Sequence, residues 1–427
     1  MPIAFFFRDV LRRTSAHTSL AHPFDLIRKM DGKLSPFNPG AGAVPPVLSG
    51  RHDTREEVRI CIDRLLSGRH ANGQLLVGLR GVGKTVLLER LLYDAEQQGA
   101  ITVHLEAPEV KSLPASIAPA IRVALLRMNQ VQMAKDAVIR GLRALSGFVA
   151  GLRVKYGDIE VGLDYPPEPG LADCGDLELD LCTLLVEAGR AARLARTALV
   201  IFIDEFQGMP QQQLSSLLYA LHRCTQHQLP IMLVAAGLPP LIKKVGDAKS
   251  YAERMFEIHD IGPLADIDAR NAIAIPAERE GVLISPDALD EIVAQTGAYP
   301  YFLQQWGKLA WRAANESPIT YEHVRQISTS AIEALDKNFY RLRFQRLTFL
   351  ERRYLRVMAE MGAGPHDARA IAMHFGEPAQ ALEPVQEALV AKGMLHETLI
   401  GETEFSVPRF HEFLKRIMPE LTPADAA

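Results

Sequence analysis

Cysteine is scarce in this chain, and its few copies lack the patterns that bind metals or cross-link a fold. The 427 residues include four cysteines, at Cys61, Cys174, Cys182 and Cys224. No two of them form a C-x-x-C pair and no histidine cluster accompanies them, so neither a zinc site nor a disulfide framework is predicted. Reduced thiols, as in a cytoplasmic protein, are expected.

Long apolar runs and a strong net charge are also missing. The early apolar segment Ala4-Phe5-Phe6-Phe7 is much shorter than a signal-peptide core, and no run of about 18 apolar residues follows it. We therefore expect no export, no membrane partner and a cytoplasmic location. A net charge of −4 gives no global attraction to nucleic acid or to an anionic membrane.

The composition that remains is that of an ordinary globular protein. Apolar residues make up 48% and charged residues 23% of the chain, which at this length leaves room for two or three domains. Poor order is expected in an N-terminal extension, residues 1–34, and in a tail, residues 421–427. A targeting peptide is the alternative reading of the extension, and a start at Met30 instead of Met1 stays open.

Residues 35–262 have the pattern of a wound α/β domain. Buried strands are predicted at 75–77, 101–105, 198–203 and 231–234, because continuous apolar runs are typical of a parallel sheet with helices on both faces. Helical patterns between the strands favour right-handed crossovers. Alternating residues around a Gly-Asp turn predict a β-hairpin insertion near 154–164.

Helical patterns dominate the chain after Pro263. Residues 263–338 are predicted to form a separate helical lid domain. In residues 339–420, helices are predicted at 349–361, 368–375 and 379–392, then two short strands around residues 400–402 and a helix at 410–417. Three helices followed by a β-wing indicate a winged helix.

A phosphate-binding motif follows the first strand. Residues 78–85 match G-x-x-x-x-G-K-[ST] in full. Backbone N–H groups would converge on the β-phosphate, Lys84 would reach the β- and γ-oxygens, and Thr85 would ligate Mg²⁺, assisted by the dipole of the next helix. A glycine-rich turn with an exposed lysine is the alternative, which the position between strand and helix disfavours. The residues predicted to bind ATP here are Gly78, Gly81, Val82, Gly83, Lys84, Thr85 and Val86.

Two carboxylates end the apolar strand at 198–203. Asp204 is predicted to hold Mg²⁺, directly or through water, and Glu205 to polarise the attacking water. A solvated strand end is the alternative, but the complete P-loop earlier in the chain favours the catalytic role. The predicted fold class is therefore α/β, a P-loop NTPase parallel sheet with a helical lid domain and a C-terminal winged helix, in which Lys84 and Glu205 are catalytic.

These residues resemble AAA+ ATPases of the origin-recognition-complex-like branch, bordering on STAND signalling ATPases, and more narrowly a group of bacterial ATP-binding proteins with this domain order. The resemblance extends from about Pro36 to Pro419. Besides the two motifs above, its carriers are Pro36-Phe37-Asn38-Pro39-Gly40-Ala41-Gly42, Leu48-Ser49-Gly50-Arg51, Ala236-Gly237-Leu238-Pro239, Lys249-Ser250-Tyr251-Ala252-Glu253-Arg254 and Gly297-Ala298-Tyr299-Pro300.

The resemblance implies further site residues. Leu48 to Arg51 would border the adenine, with Gly50 and Arg51 as binding residues. Tyr299 and Pro300 would pack near the base, with a plain helix start as the alternative. Arg254 stands where related families can carry an arginine finger, which neutralises the γ-phosphate charge of a neighbouring subunit and would be catalytic. A surface ion pair explains Arg254 equally well.

Two departures from the family pattern predict slow hydrolysis. The fourth strand ends in Val234-Ala235-Ala236-Gly237, where many AAA+ enzymes place a polar sensor for the attacking water. In the lid, Tyr301 replaces the arginine that senses the γ-phosphate in many relatives. Both losses weaken transition-state stabilisation rather than binding. Tight ATP binding and slow Mg²⁺-dependent hydrolysis are therefore expected.

Several functions stay open for such an ATPase. The favoured one is a nucleotide-driven switch that moves the winged helix against an unidentified protein partner. The second is an ATP-regulated DNA-binding initiator or regulator. The acidic recognition helix, with Glu377, Glu383 and Glu387 against Lys392, disfavours it because phosphate contacts need Lys and Arg. A remodelling motor, the third, needs a ring and efficient hydrolysis. A homo-oligomer in the presence of ATP stays open.

Overall fold

The computed structural model describes residues 31–40, 42–107, 112–156, 162, 165–398 and 401–420. The predicted extension up to residue 30 and the predicted tail lie outside the described residues. Within the described part, no helix combines the length and the apolarity needed to cross a bilayer.

A five-stranded parallel sheet organises the first part of the chain. Its strands are β1 (Gly73–Val77), β2 (Ile101–Glu106), β3 (Leu199–Asp204), β4 (Ile231–Gly237) and β5 (Phe256–Asp260). Their spatial order is β2-β3-β4-β1-β5, so β1 lies between β4 and β5. Because all strands are parallel, their carboxyl ends meet at one edge of the sheet, where ligands bind in open α/β folds.

Helices cover both faces of this sheet. They are α1 (His52–Leu66), α2 (Lys84–Gln97), α3 (Leu113–Met128), α4 (Lys135–Tyr156), α5 (Leu177–Leu194), α6 (Gln211–Gln226) and α7 (Pro240–Ala248). Alternate strand residues enter two cores: Ile201 and Ile203 pack on the face of α3 to α7, whereas Val200 and Phe202 pack on the face of α1 and α2. Burial on both faces explains the uninterrupted apolar runs of β1, β3 and β4, whereas β2, at the edge of the sheet, exposes His104 and Glu106 on one face.

Two elements differ from the prediction: β5 is not predicted, and the first residues of the predicted β-hairpin, 154–156, are helical. β5 is an edge strand in which Phe256 is buried and most other residues are exposed, so its pattern is mixed. Residues 154–156 end helix α4 instead of forming a strand. The buried residues Leu142, Leu145, Val149 and Leu152 follow helical spacing, which carries α4 through the predicted strand. Most of the remaining hairpin residues lie outside the described ranges.

The second part of the chain is helical. α8 (Asp266–Arg279), α9 (Pro286–Thr296), α10 (Pro300–Ala313) and α11 (Tyr321–Leu335) occupy the region predicted as the lid. A π-helical segment, Asp336–Tyr340, continues α11 into α12 (Arg341–Gln345). The chain then forms α13 (Phe349–Met361), α14 (Ala368–Phe375), α15 (Ala379–Ala391), an antiparallel pair β6 (Leu395–Glu397) and β7 (Thr403–Phe405), and α16 (Phe410–Ile417). Residues 341–417 are called the C-terminal module below.

The lid helices and the C-terminal module share one apolar core. Phe339 of the π-helical segment lies edge-on to Phe302 of α10, with 5.4 Å between ring centroids. The next residue, Tyr340, stacks on Phe413 of α16 at 5.1 Å. The core therefore continues across the predicted boundary at residues 338 and 339. The order of elements from residue 349 onward is the predicted one, while the winged-helix assignment stays a prediction.

Candidate nucleotide site

The P-loop, Gly78–Thr85, leads from the carboxyl end of β1 into the first turn of α2. Gly81 and Gly83 have φ angles of +83° and +90°, which residues with side chains rarely adopt. A Cβ at Gly78 would lie 2.0 Å from the carbonyl oxygen of Ile261, so only glycine fits there. The glycines thus allow a tight turn that presents the N-terminus of α2, a ready anion-binding group.

Lys84 is folded into this turn. Its Nζ donates to the carbonyl oxygens of Gly78 and Leu79, each at 2.9 Å, and the residue is 7% exposed. Burial lowers the pKa of Lys84 to about 8; Glu205 and Asp204 oppose this effect, and the charge of Arg80 adds to it. An anion at this position would favour the ammonium form and draw it away from the two carbonyls.

The acidic pair lies at the same edge of the sheet. Thr85 Oγ1 donates to Asp204 Oδ2 at 2.6 Å, and the backbone N–H of Glu205 donates to Asp204 Oδ1 at 2.8 Å. Glu205 has a φ of +48°, a strained value of the kind that clusters at functional sites. A hydroxyl and a carboxylate that converge in this way fit Mg²⁺, which usually takes few protein ligands and completes its shell with phosphate oxygens and water.

Gln207 is a site residue that sequence analysis missed. Its Nε2 donates to Glu205 Oε2 at 2.5 Å, and its Oε1 accepts from the backbone N–H of Leu238 at 3.0 Å. A Cβ at Gly237 would lie only 2.6 Å from Gln207 Oε1, so this glycine admits the amide. The polar group that the end of β4 lacks is therefore supplied by the loop after β3. The glutamine two positions beyond Glu205 was the available signal.

A cavity of about 500 Å³ opens beside the P-loop. Its walls come from the P-loop, from α10 and from the loop before α1. The predicted site residues that line it are Arg51, Gly81, Val82, Gly83, Lys84, Thr85, Val86, Glu205 and Pro300. Its volume lies within the range of small-molecule sites.

Gly50 and Arg51 join the P-loop to the lid. Arg51 Nη2 donates to the carbonyl oxygens of Val82 at 3.2 Å and of Gly262 at 2.5 Å. A Cβ at Gly50 would lie 2.9 Å from the Asp268 carboxylate, so glycine permits close approach to α8. Gly50 itself does not line the cavity. The two residues therefore connect the P-loop with the segment around Gly262 and with α8.

Tyr299, predicted to pack near the base, lies away from the cavity, whereas Tyr301 lies in its wall. Tyr299 does not line the cavity and packs beside Phe302, with 5.7 Å between ring centroids. Tyr301 does line it; its N–H donates to the Gly81 carbonyl oxygen at 3.3 Å. The ring of Tyr301 stacks on Phe339 at 5.1 Å. The start of α10 thus touches the P-loop through Tyr301.

The loop before α1 forms one wall of the cavity, of which only the end, from Leu48, is predicted to border the nucleotide. Residues between Asn38 and Ser49 line the cavity. Phe37 anchors the loop: it is 3% exposed, meets Trp311 edge-on at 6.3 Å, and would lie 2.8 Å from a Cβ at Gly307. The backbone N–H of Asn38 donates to Gln304 Oε1 at 3.3 Å.

Arg254 lies at the opposite edge of the sheet. It precedes β5, whose first residue pairs with Gly73 at the start of β1, whereas the P-loop follows the end of β1. Arg254 is exposed, lines a separate cavity of about 330 Å³, and forms no ion pair with any residue that the structure describes. The structure does not bring Arg254 together with the other site residues of its own chain.

Comparison with protein families identifies two regions. Residues 47–234 match the family described as AAA ATPase domain, and residues 337–414 match a domain of unknown function, DUF8462. No match was found among curated proteins.

Similar solved structures are distant in sequence. The Walker-type ATPase paby2304 of Pyrococcus abyssi has a TM-score of 0.54 at 11% identity, over 86% of this chain and 96% of that one. Aeropyrum pernix ORC1, solved in complex with DNA, has a TM-score of 0.44 at 18% identity, over 87% and 94%. Thermotoga maritima RuvB, a Holliday junction branch migration motor, has a TM-score of 0.41 at 16% identity, over 86% and 95%. The likeness to the Pyrococcus abyssi ATPase is one of fold alone.

Proposed function

Residues 47–234 form an AAA ATPase domain, and from this premise we propose that the protein hydrolyses ATP slowly with Mg²⁺ to drive a conformational switch. The observation that carries the proposal is the convergence of Lys84, Thr85, Asp204 and Glu205 at one edge of the sheet. These are the groups that phosphoryl transfer to water requires.

Each residue has a role that follows from its position. Lys84 would leave the two loop carbonyls and bind β- and γ-phosphate oxygens. Thr85 and Asp204 would hold Mg²⁺, which neutralises phosphate charge when bound. Glu205 would accept a hydrogen bond from the attacking water, which adds to the γ-phosphorus while the bond to the β-phosphate oxygen breaks. ADP and inorganic phosphate are then the products.

Slow turnover follows from what surrounds Glu205. The amide of Gln207 is its hydrogen-bond partner, and the end of β4 offers no polar side chain of its own. Tyr301 faces the cavity at the start of α10, where it gives no positive charge to a developing phosphate anion. Fewer groups aimed at the transition state mean a smaller rate acceleration.

Contacts between the lid, the C-terminal module and the ATPase domain support the proposed switch. The lid and the module share a core, so they move together. The module touches the P-loop directly, because a Cβ at Gly393 would lie 3.0 Å from Arg80 Nη2. An exposed ion pair between Lys243 and Glu397, at 2.8 Å, joins the same two parts. Nucleotide that alters the P-loop therefore biases where the module sits.

The proposed partner of the module is a protein and not DNA. Lys392, which directly follows α15, is paired with the buried Glu351 at 2.7 Å, while Glu383 and Glu387 are exposed. An exposed acidic face repels DNA phosphates. Because the module shares its core with the lid, the full chain is the correct material for the test. Fluorescence anisotropy with a random duplex pool at physiological salt should show no sequence-specific binding, and enrichment of one motif would favour the initiator.

The ATPase itself is tested with Glu205→Gln, which keeps the shape of the side chain but cannot act as a base. We expect ATP affinity like that of the wild type and a hydrolysis rate lower by about 10²–10⁴. The matched control is Glu253→Gln, an exposed glutamate at the other edge of the sheet. Steady-state phosphate release with Mg²⁺ and with EDTA measures the rate. Equal rates for Glu205→Gln and the wild type would remove Glu205 from the mechanism.

A further inference from the structure

We propose that Arg343 binds the terminal phosphate of ATP and so couples that phosphate to the position of the C-terminal module. The inference rests on the function proposed above. It assigns a role to a residue outside both the P-loop and the predicted lid domain. The sections of the chain that meet here are α12, the P-loop and the start of α10.

Three cations lie close together at the P-loop side of the cavity. Arg343, in α12, lines the same cavity as Arg80, Lys84 and Glu205. Burial and then the charge of Arg80 lower the pKa of Arg343 to about 10, and the charge of Arg80 also contributes to the lowered pKa of Lys84. Arg80 therefore lies within electrostatic reach of a cation on each side.

Neither arginine is neutralised by a neighbouring carboxylate. Within the described residues, no ion pair joins Arg80 or Arg343 to an acidic side chain. Arg343 instead donates to the carbonyl oxygen of Phe339 in the preceding turn and lies over the Phe339 ring, 4.3 Å from its centroid. Partly buried like charges without a counter-ion are unfavourable. An anion in the cavity would remove this cost.

The contacts of Phe339 place Arg343 at the phosphate end of the cavity. A Cβ at Gly81 would lie 3.8 Å from the Phe339 ring on which the guanidinium rests. Gly81 is part of the P-loop, so the guanidinium rests beside the loop proposed to hold the phosphates. ADP ends at the phosphate that the loop amides hold, and ATP carries one more. Two arginines outside the P-loop line the cavity, Arg51 and Arg343. Arg51 lies near the Asp268 carboxylate, whereas Arg343 has no carboxylate partner among the described residues, so Arg343 is the cation we assign to the additional phosphate.

The same residues connect Arg343 to the rest of the molecule. Phe339, which supports the guanidinium, stacks on Tyr301 of α10 at 5.1 Å. Tyr340, the next residue, packs against Phe410 and Phe413 of α16. A phosphate that holds Arg343 therefore restrains both the lid and the module through one aromatic cluster. Loss of that phosphate on hydrolysis releases the restraint.

The test compares ATP with ADP in the full-length protein carrying Glu205→Gln, so that ATP persists. In that parent we expect Arg343→Gln to weaken ATP binding about 10- to 100-fold, the value of a charge-assisted hydrogen bond, while ADP affinity changes by less than about twofold. Arg341→Gln, an exposed arginine in the same helix, is the control and should change neither. Isothermal titration calorimetry with Mg²⁺ measures the six affinities, ATP and ADP for the parent and the two variants.

Hydrogen exchange supplies a second readout that a merely structural role would not move. ATP should protect β6 and α16 more than ADP does in the parent, and this difference should vanish in Arg343→Gln. Arg343→Lys, which keeps the charge, should restore part of it and serves if the glutamine variant fails to fold. A parent that binds no ATP would overturn the proposed function and this inference together. A parent that binds ATP, with an unchanged ATP-to-ADP ratio in the Arg343 variants, would overturn this inference alone.

Discussion

At the scale of single residues, the charge of Lys84 is set by a balance that a bound nucleotide changes. The amine is buried, and its two hydrogen-bond acceptors are neutral carbonyl oxygens. Burial disfavours the ammonium, and the nearby carboxylates only partly compensate, which leaves its pKa at about 8. Phosphate oxygens favour the ammonium, so ATP raises this pKa.

ATP affinity should therefore fall as the pH rises above about 8. Below that value the free protein already carries the ammonium, and binding takes up no proton at Lys84. Above it the free protein carries the neutral amine, and binding has to protonate it, so the dissociation constant rises by up to about tenfold per pH unit. Calorimetry between pH 7 and pH 9 in buffers of different ionisation enthalpy measures both affinity and proton uptake. Lys84→Arg stays charged and should take up no proton, whereas absence of uptake by the wild type at pH 9 would contradict the assigned pKa.

Gln207 is positioned to orient Glu205, the carboxylate proposed to be catalytic. Its amide is fixed at one end by the N–H of Leu238 and holds Glu205 at the other. We expect Gln207→Ala to lower kcat about 10- to 100-fold, with the KM for ATP nearly unchanged, because Glu205 loses its orientation while the phosphate contacts stay. Gln211→Ala, an exposed glutamine on α6, is the control. A raised kcat would show that Gln207 restrains Glu205 rather than aiming it.

The residues predictable from sequence are those whose roles depend on their near neighbours. The P-loop is one continuous turn, so its glycines, Lys84 and Thr85 carry their function in their spacing. Gln207 lies two residues from its partner Glu205, but its second partner, Leu238, is 31 residues away, so the spacing alone does not show that the amide is held in place. The role of Arg343 could not be predicted from the sequence either, since only the folded aromatic cluster brings α12 to the P-loop.

At the scale of elements, burial decides which strands and helices can be predicted from the sequence. β1, β3 and β4 are buried along almost their whole length and appear as apolar runs. The edge strand β2 keeps Val103 and Leu105 buried and is still recognised, whereas the edge strand β5 is mostly exposed and is not. The start of the predicted hairpin fails because local alternation in residues 154–156 competes with the longer helical period of α4, and the longer pattern prevails. The loop before α1 has no periodic signal, and its place at the cavity follows from one buried ring.

The position of the loop before α1 should depend on Phe37. Phe37→Ala removes a ring packed against Gly307 and Trp311, and we expect it to cost about 3–5 kcal/mol of unfolding free energy. It should also weaken ATP binding, since residues of this loop such as Asn38, Gly42 and Leu48 line the cavity. Urea unfolding and calorimetry measure the two effects. Val44→Ala, in the same loop but 74% exposed, should change stability little. An unchanged ATP affinity in a destabilised Phe37→Ala protein would show that the wall is dispensable for binding.

At the scale of the whole molecule, the carboxyl ends and the amino ends of the parallel strands carry different groups of residues. The carboxyl edge gathers the P-loop, the acidic pair, the lid and the C-terminal module around one cavity. The amino edge carries Arg254, exposed and without an ion-pair partner in the described part of the chain. Because β1 separates the two edges, Arg254 is too far from its own phosphates to act on them. A catalytic role for Arg254 therefore requires a second subunit.

The dependence of turnover on protein concentration decides whether Arg254 has that role. If Arg254 enters a neighbour's site as an arginine finger, the ATPase rate per protomer rises with concentration, and Arg254→Ala lowers it by about 10³–10⁵ while sparing ATP affinity. Loss of an exposed side chain without an ion pair should cost less than about 1 kcal/mol of stability. The measurement is a concentration series of steady-state phosphate release for the wild type, Arg254→Ala and the control Arg69→Ala, an exposed arginine near the same edge. Rates per protomer that are equal in all three proteins and independent of concentration would leave the monomer as the working unit, with Arg343 of the same chain as the cation proposed for the terminal phosphate.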